Sequence, residues 1–188
     1  MSDQLKGPAR NLEEYRDYLQ LLAQMQLDRV LQGKIDLSGV VQQTLLEAYQ
    51  AMPKCKVQDS DQLAAWLRRI LANNLADEIR KLKSGKRDVR RERSLDVALQ
   101  QSSSRLEAWL AADQSSPSGL ARRQEQAILL SAALAKLPEA QRDALTLRHF
   151  HGWSLAQIAQ HLGRSHAAVA GLLKRGLQQL RDQLCNLE

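Results

Sequence analysis

The chain has 188 residues, with 27 Lys and Arg against 21 Asp and Glu and a formal net charge of +6. Its length fits one medium domain or two small ones, and its basic balance favours a polyanionic partner. Two widely separated cysteines, Cys55 and Cys185, argue against a disulfide framework, and the N-terminal stretch lacks a signal-peptide core, so a soluble, cytoplasmic protein is expected.

Leu and Ala dominate and β-branched residues are sparse, which predicts an all-α chain. From Leu12 to Gln32, Tyr15, Tyr18, Leu19, Leu22, Met25 and Leu31 recur at helical spacing, until Gly33 breaks the pattern. Asp36 or Ser38 is placed to cap a second helix to about Ala51, with Val40, Val41, Leu45, Leu46 and Tyr49 inward, and Pro53 ends it. "PKCKVQDSDQ" reads as a polar loop. Asp59 or Ser60 starts a third helix with the stripe Leu63, Trp66, Leu67, Ile70, Leu71, Leu75 and Ile79 and a basic far end.

The periodicity then weakens. "QSSSRLEAWLAADQSSPSG" has two serine clusters, a proline and a glycine, and predicts a linker over 91–119, with Leu106, Trp109 and Leu110 as a short docked helix. Such a tether would let two modules, 1–90 and 120–188, close on each other and hide part of each surface. The pattern resumes from Leu120 to Leu137, and Pro138 opens a further helix to Phe150.

"SLAQIAQHLGRSHAAVAGLLKRGLQQL" holds two short amphipathic segments around Gly163. Ser154 and Ser165 are placed as caps, and Lys174 and Arg175 line the second segment. Two helices joined by a tight glycine-containing turn are the pattern of the DNA-binding helix-turn-helix, whose second helix enters the major groove. A plain helical hairpin with a solvated basic face is the alternative.

The longer run "LPEAQRDALTLRHFHGWSLAQIAQHLGRS" resembles region 4 of the bacterial sigma factors. "DLSGVVQQTLLEAY" resembles their region 2.2 helix, and "WLRRILANNLADEIRK" resembles the helix after it. Both modules in this order resemble the extracytoplasmic-function (ECF) group, which keeps only regions 2 and 4. The resemblance implies an RNA polymerase sigma factor with two helical domains, region 2 over 1–90 and region 4 over 120–188. It also implies binding to core polymerase through the β′ clamp helices and the β flap, to promoter DNA, and to an anti-sigma factor.

Carried over residue by residue, it assigns the clamp contact to Asp36, Val40, Val41, Gln42, Gln43 and Leu45, with Gly39 and Gln43 standing where acids are usual. The −10 element falls to Lys54, Lys56, Gln58, Asn73, Arg80, Lys81 and Lys83, with Asp77 as an ion-pair partner. The −35 element falls to Arg164, Ser165, His166, Lys174 and Arg175. Ala170 and Leu172 replace a Lys and an Arg usual in the group. The histidines and cysteines match no zinc spacing, and no phosphate-cradling or nucleophile motif occurs, so neither a metal, a cofactor nor catalysis is expected. The rival reading is a stand-alone helix-turn-helix regulator working as a dimer, and a third is a protein-binding adaptor.

Overall fold

A computed structural model describes residues 8–27, 33–54, 57, 59–83, 89–113 and 120–185, and all regular structure among them is helical. A 3₁₀ segment, Pro8–Tyr15, leads into α1 (Arg16–Gln26). There follow α2 (Leu37–Ala51), α3 (Ser60–Lys83), α4 (Val89–Asp113) and α5 (Leu120–Ala135). The chain continues with α6 (Glu139–Leu145), α7 (Leu155–Leu162) and α8 (His166–Cys185). Among the described residues no helix is long and apolar enough to cross a membrane.

Helix starts follow local chemistry. Asp36, not Ser38, caps α2: its Oδ1 accepts the Gly39 N–H at 3.0 Å, satisfying a donor the first turn leaves free. Asp59 does the same for α3, accepting the Gln62 N–H at 2.8 Å. Pro138 precedes α6, its carbonyl accepting from Gln141 and Arg142. α6 then widens into a π-helical turn, Thr146–Phe150, rather than running on as regular helix.

The main core joins α1 to α5. Tyr18, Leu19, Leu22, Leu63, Leu67, Leu71 and Leu75 are fully buried, and so are Leu99 and Leu106 of α4 and Leu130 and Leu134 of α5. A second cluster holds the last helices together: Ala144, Ile158, Ala159, Val169 and Leu172.

Two expectations are corrected here. Residues 91–113 are not a linker but most of a 25-residue helix packed against α1, α3 and α5. The serines that read as a flexible tether, Ser102 and Ser103, are buried, because polar partners on α1 and α3 meet them. On α2, Leu46 and Tyr49 point outward, at 48% and 72% exposure, while Val40, Val41 and Leu45 turn into the core.

Candidate nucleic-acid interface

The C-terminal helices build one surface. Ser154 opens α7 with a reciprocal cap: its Oγ accepts the Gln157 N–H at 3.3 Å, and its own N–H donates to Gln157 Oε1 at 2.8 Å. Gly163 ends α7 in the left-handed region at φ 61°, which frees the chain to reverse within three residues. Ser165 Oγ accepts the Ala168 N–H at 3.2 Å and starts α8 at once. Ile158 and Ala159 of α7 bury against Val169 and Leu172 of α8, fixing the two helices as a unit.

That packing turns the start of α8 outward. Arg164, Ser165, His166 and Ala167 are all exposed, as are Ala170, Lys174 and Arg175. Residues 166, 167, 170 and 174 share one helical face, so a small-residue strip at 167 and 170 is flanked by His166 and Lys174. Arg175 lies back over Gly171, where an added Cβ would stand 3.1 Å from its Nη1. Leu172 is buried, so the position at which the group's usual arginine is missing faces the core rather than the exposed strip.

Of the sequence-predicted residues on α3, Asn73 is exposed and Arg80 is ion-paired with Asp77. Lys81 pairs with Glu78 at 2.6 Å and, with Asp77, lines a groove between α2 and α3. Lys54 is exposed at the end of a 3₁₀ turn, Met52–Lys54. Lys56, Gln58 and the side chain of Lys83 lie outside the described residues.

The α2–α3 groove has a volume of about 460 Å³ and is lined by Asp36, Gln43, Glu47, Asn74, Glu78 and Lys81, among others. Asn74, absent from the sequence reading, ties its floor together by donating to Thr44 Oγ1 at 3.1 Å. Gln42, Gln43, Leu46 and Tyr49 are the exposed side chains of α2 beside it. Val40, Val41 and Leu45, assigned to a partner contact by resemblance, are buried, and Val40 also lines this groove. Leu46 and Tyr49 read as inward-facing in the sequence because an apolar residue at helical spacing reads as core whichever way it faces.

His149 and His151 sit beside α4. The Trp109 ring lies 5.0 Å from that of His149 and 5.5 Å from Phe150. Burial chiefly, with Arg148 beside one and Arg105 beside the other, holds both imidazoles below their ordinary pKa.

Comparison with known proteins bears on both surfaces. Residues 15–85 match the family described as sigma-70 region 2, and residues 127–180 match sigma-70 region 4. The chain is 31% identical over 162 residues to the ECF RNA polymerase sigma factor SigG of Mycobacterium tuberculosis, covering 78% of this chain and 41% of the relative. It is 43% identical over 56 residues to the RNA polymerase sigma factor SigF of the same organism, covering 30% of this chain and 22% of SigF. To the RNA polymerase sigma factor SigO of Bacillus subtilis it is 36% identical over 52 residues, covering 28% of this chain and 30% of SigO. The chain thus spans about two-fifths of the length of SigG. With both regions matched, in order, the chain belongs to the sigma-70 family as an ECF-type member carrying regions 2 and 4.

Proposed function

We propose that this protein is an RNA polymerase sigma factor of the ECF group, which directs the core enzyme to particular promoters and helps melt them. The observation that carries the reading is the pairing of an exposed, basic-flanked start of α8 with a second family-matched region built on α2 and α3. A stand-alone regulator has no need of the second unit.

In this reading α8 reads the −35 element. Arg164, Ser165 and His166 reach base edges or the nearest phosphates, and Lys174 and Arg175 hold the backbone. The strip at Ala167 and Ala170 admits close approach of the duplex. Lys54, Asn73 and Arg80 face the −10 element, where capturing an unstacked base repays the cost of extruding it. Asp77 yields Arg80 to phosphate readily, because an exposed ion pair is worth only about 0–1 kcal/mol.

Core polymerase docks on the outer face of α2. Gln42, Gln43, Leu46 and Tyr49 replace the buried valines as its contacts on the β′ clamp helices, with Asp36 at the edge. Region 4 contacts the β flap. The chain itself carries no catalysis, works in the cytoplasm, and has an anti-sigma factor as a further partner. Pull-down with core polymerase followed by run-off transcription tests the whole. Core-dependent synthesis from a defined start supports the reading, and core-free dimers on a palindromic operator replace it with the regulator.

A further inference from the structure

The π-helical turn and α4 together build a basic, aromatic patch that neither DNA face uses. The turn, Thr146–Phe150, is closed by the His151 N–H donating to the Thr146 carbonyl at 3.2 Å. Such turns are rare and are found mostly at functional sites. Gly152 follows in the left-handed region at φ 69°, so the chain leaves the turn at once. Phe150 is buried, and its ring meets the Trp109 indole edge-on at 5.5 Å. That anchor holds His149 against the same indole, with ring centroids 5.0 Å apart and planes inclined by 32°. His149 is otherwise exposed. An imidazole backed by an indole thus offers its outer side to another planar ring.

Positive charge collects around this stack without compensation. Arg105 stands one helical turn before Trp109 on α4, and its Nη1 donates to the Phe150 carbonyl at 3.5 Å. Arg148, on the π-helical turn, donates from Nη1 to the Trp153 carbonyl at 2.9 Å. Both arginines are exposed, and both of these acceptors are neutral; among the described residues neither arginine pairs with a carboxylate. Glu107, between Arg105 and Trp109 in sequence, is engaged elsewhere and accepts from Ser103 at 2.9 Å. The imidazoles register the excess: Arg148 acts on His149 and Arg105 on His151, each adding to burial in lowering the ring's pKa. On α3, by contrast, Arg80 and Lys81 are each held by a carboxylate.

Two guanidiniums without counter-ions beside an exposed, stacked ring fit a phosphate with a base attached. A simple anion has no use for the ring, and a duplex keeps its bases stacked inside, whereas a single strand can lay one on His149. We propose that Arg105, Arg148 and the Trp109–His149 stack form a third nucleic-acid contact, separate from the −10 and −35 faces, which takes one unpaired nucleotide of a single strand. The guanidiniums donate to its phosphate oxygens, and the base covers the open side of His149. No base edge is read, so the contact tolerates any sequence. Arg105 and Trp109 lie outside both family-matched regions, 15–85 and 127–180. The inference stands on the patch and not on the sigma-factor reading.

Full-length protein and two probes test it: a short oligothymidylate carrying 5-iodouracil, and a random duplex of the same length. Irradiation is expected to cross-link the single strand to His149 or Trp109, read by mapping the joined peptide. Arg105→Gln combined with Arg148→Gln is expected to weaken single-strand binding about tenfold and to reduce the slope of log affinity against log salt by about 1.4, from two contacts at about 0.7 each. His149→Ala removes an exposed ring and is expected to weaken single-strand binding about tenfold at unchanged slope. Duplex binding, assigned to α8, stays as in the parent throughout. Should loss of the Arg148–Trp153 bond unfold the double variant, His149→Ala and Arg105→Gln decide, the latter with a slope change of about 0.7. Cross-links confined to other peptides, or single-strand affinity unmoved by His149→Ala, overturn the site. Equal losses on strand and duplex overturn it too, since the patch is then only a general positive surface.

Discussion

Gly176 of α8 lies directly on Leu145 of α6: a Cβ added there would stand 2.9 Å from the Leu145 Cδ1 and 3.4 Å from Gln141 Cβ. Leu145 is fully buried and Gly176 is buried with it, so neither side has room to give. The backbone of α8 is thus seated on α6 by the absence of a side chain. Gly176→Val is expected to destabilise the C-terminal unit by about 1–3 kcal/mol through overpacking. Urea melts of the variant against the parent check this, with a lowered midpoint at unchanged slope as the expected result.

The two kinds of apolar residue on α2 separate by experiment. Tyr49→Ala removes an exposed ring and is expected to leave the melting temperature unchanged while weakening core-polymerase binding by about 1–2 kcal/mol, roughly tenfold. Val41→Ala removes a buried methyl pair and is expected to cost about 2 kcal/mol of stability. Polymerase affinity should then track only the folded fraction. Competition binding alongside thermal melts distinguishes the pair, and reversed effects would return the contact to the buried stripe.

Lys174 tests whether α8 meets phosphate. Lys174→Ala is expected to weaken binding to specific and random duplex alike, and to reduce the slope of log affinity against log salt by about 1. Arg164→Ala at the helix start should instead relax sequence preference if it reaches a base edge. Binding isotherms at three or more salt concentrations, on cognate and scrambled duplex, read both effects. A salt slope unmoved by Lys174→Ala places phosphate elsewhere.

The imidazoles beside α4 link stability to pH. Both have pKa values depressed below 6.5, chiefly by burial. The unfolded chain therefore takes up protons first as pH falls. Their stabilising contribution is complete above about pH 6.5 and is lost as pH drops through the lower folded values. The melting temperature is expected to fall between about pH 7.5 and about pH 5.5, and to fall less in a His149→Gln, His151→Gln double variant. Asp143, whose pKa burial raises, works in the opposite sense but in the carboxylate range below that window.

Much of the architecture is legible without coordinates because helix ends are decided locally. An acceptor side chain at the first turn, as at Asp36, Ser154 and Ser165, and a glycine free to take positive φ, as at Gly163, act within a few residues. The short turn and the polar start of α8 follow from the same stretch. So does the resemblance of both regions, which rests on contiguous motifs.

Tertiary packing decided which way residues face and what a polar stretch is for. Val41 and Leu46 have the same character and lie on one helix, yet one is fully buried and the other half-exposed, because α2 meets its neighbours along only one stripe. Arg80 and Lys81 are consecutive, but helical geometry pairs one with Asp77 and the other with Glu78. Composition alone makes Ser102 and Ser103 look like tether, since serine is at home in water. Gln26 and Tyr18 on α1, with Arg68 on α3, turn those serines into the polar filling of a helix seam, and partners so distant in sequence are brought together only by the folded chain.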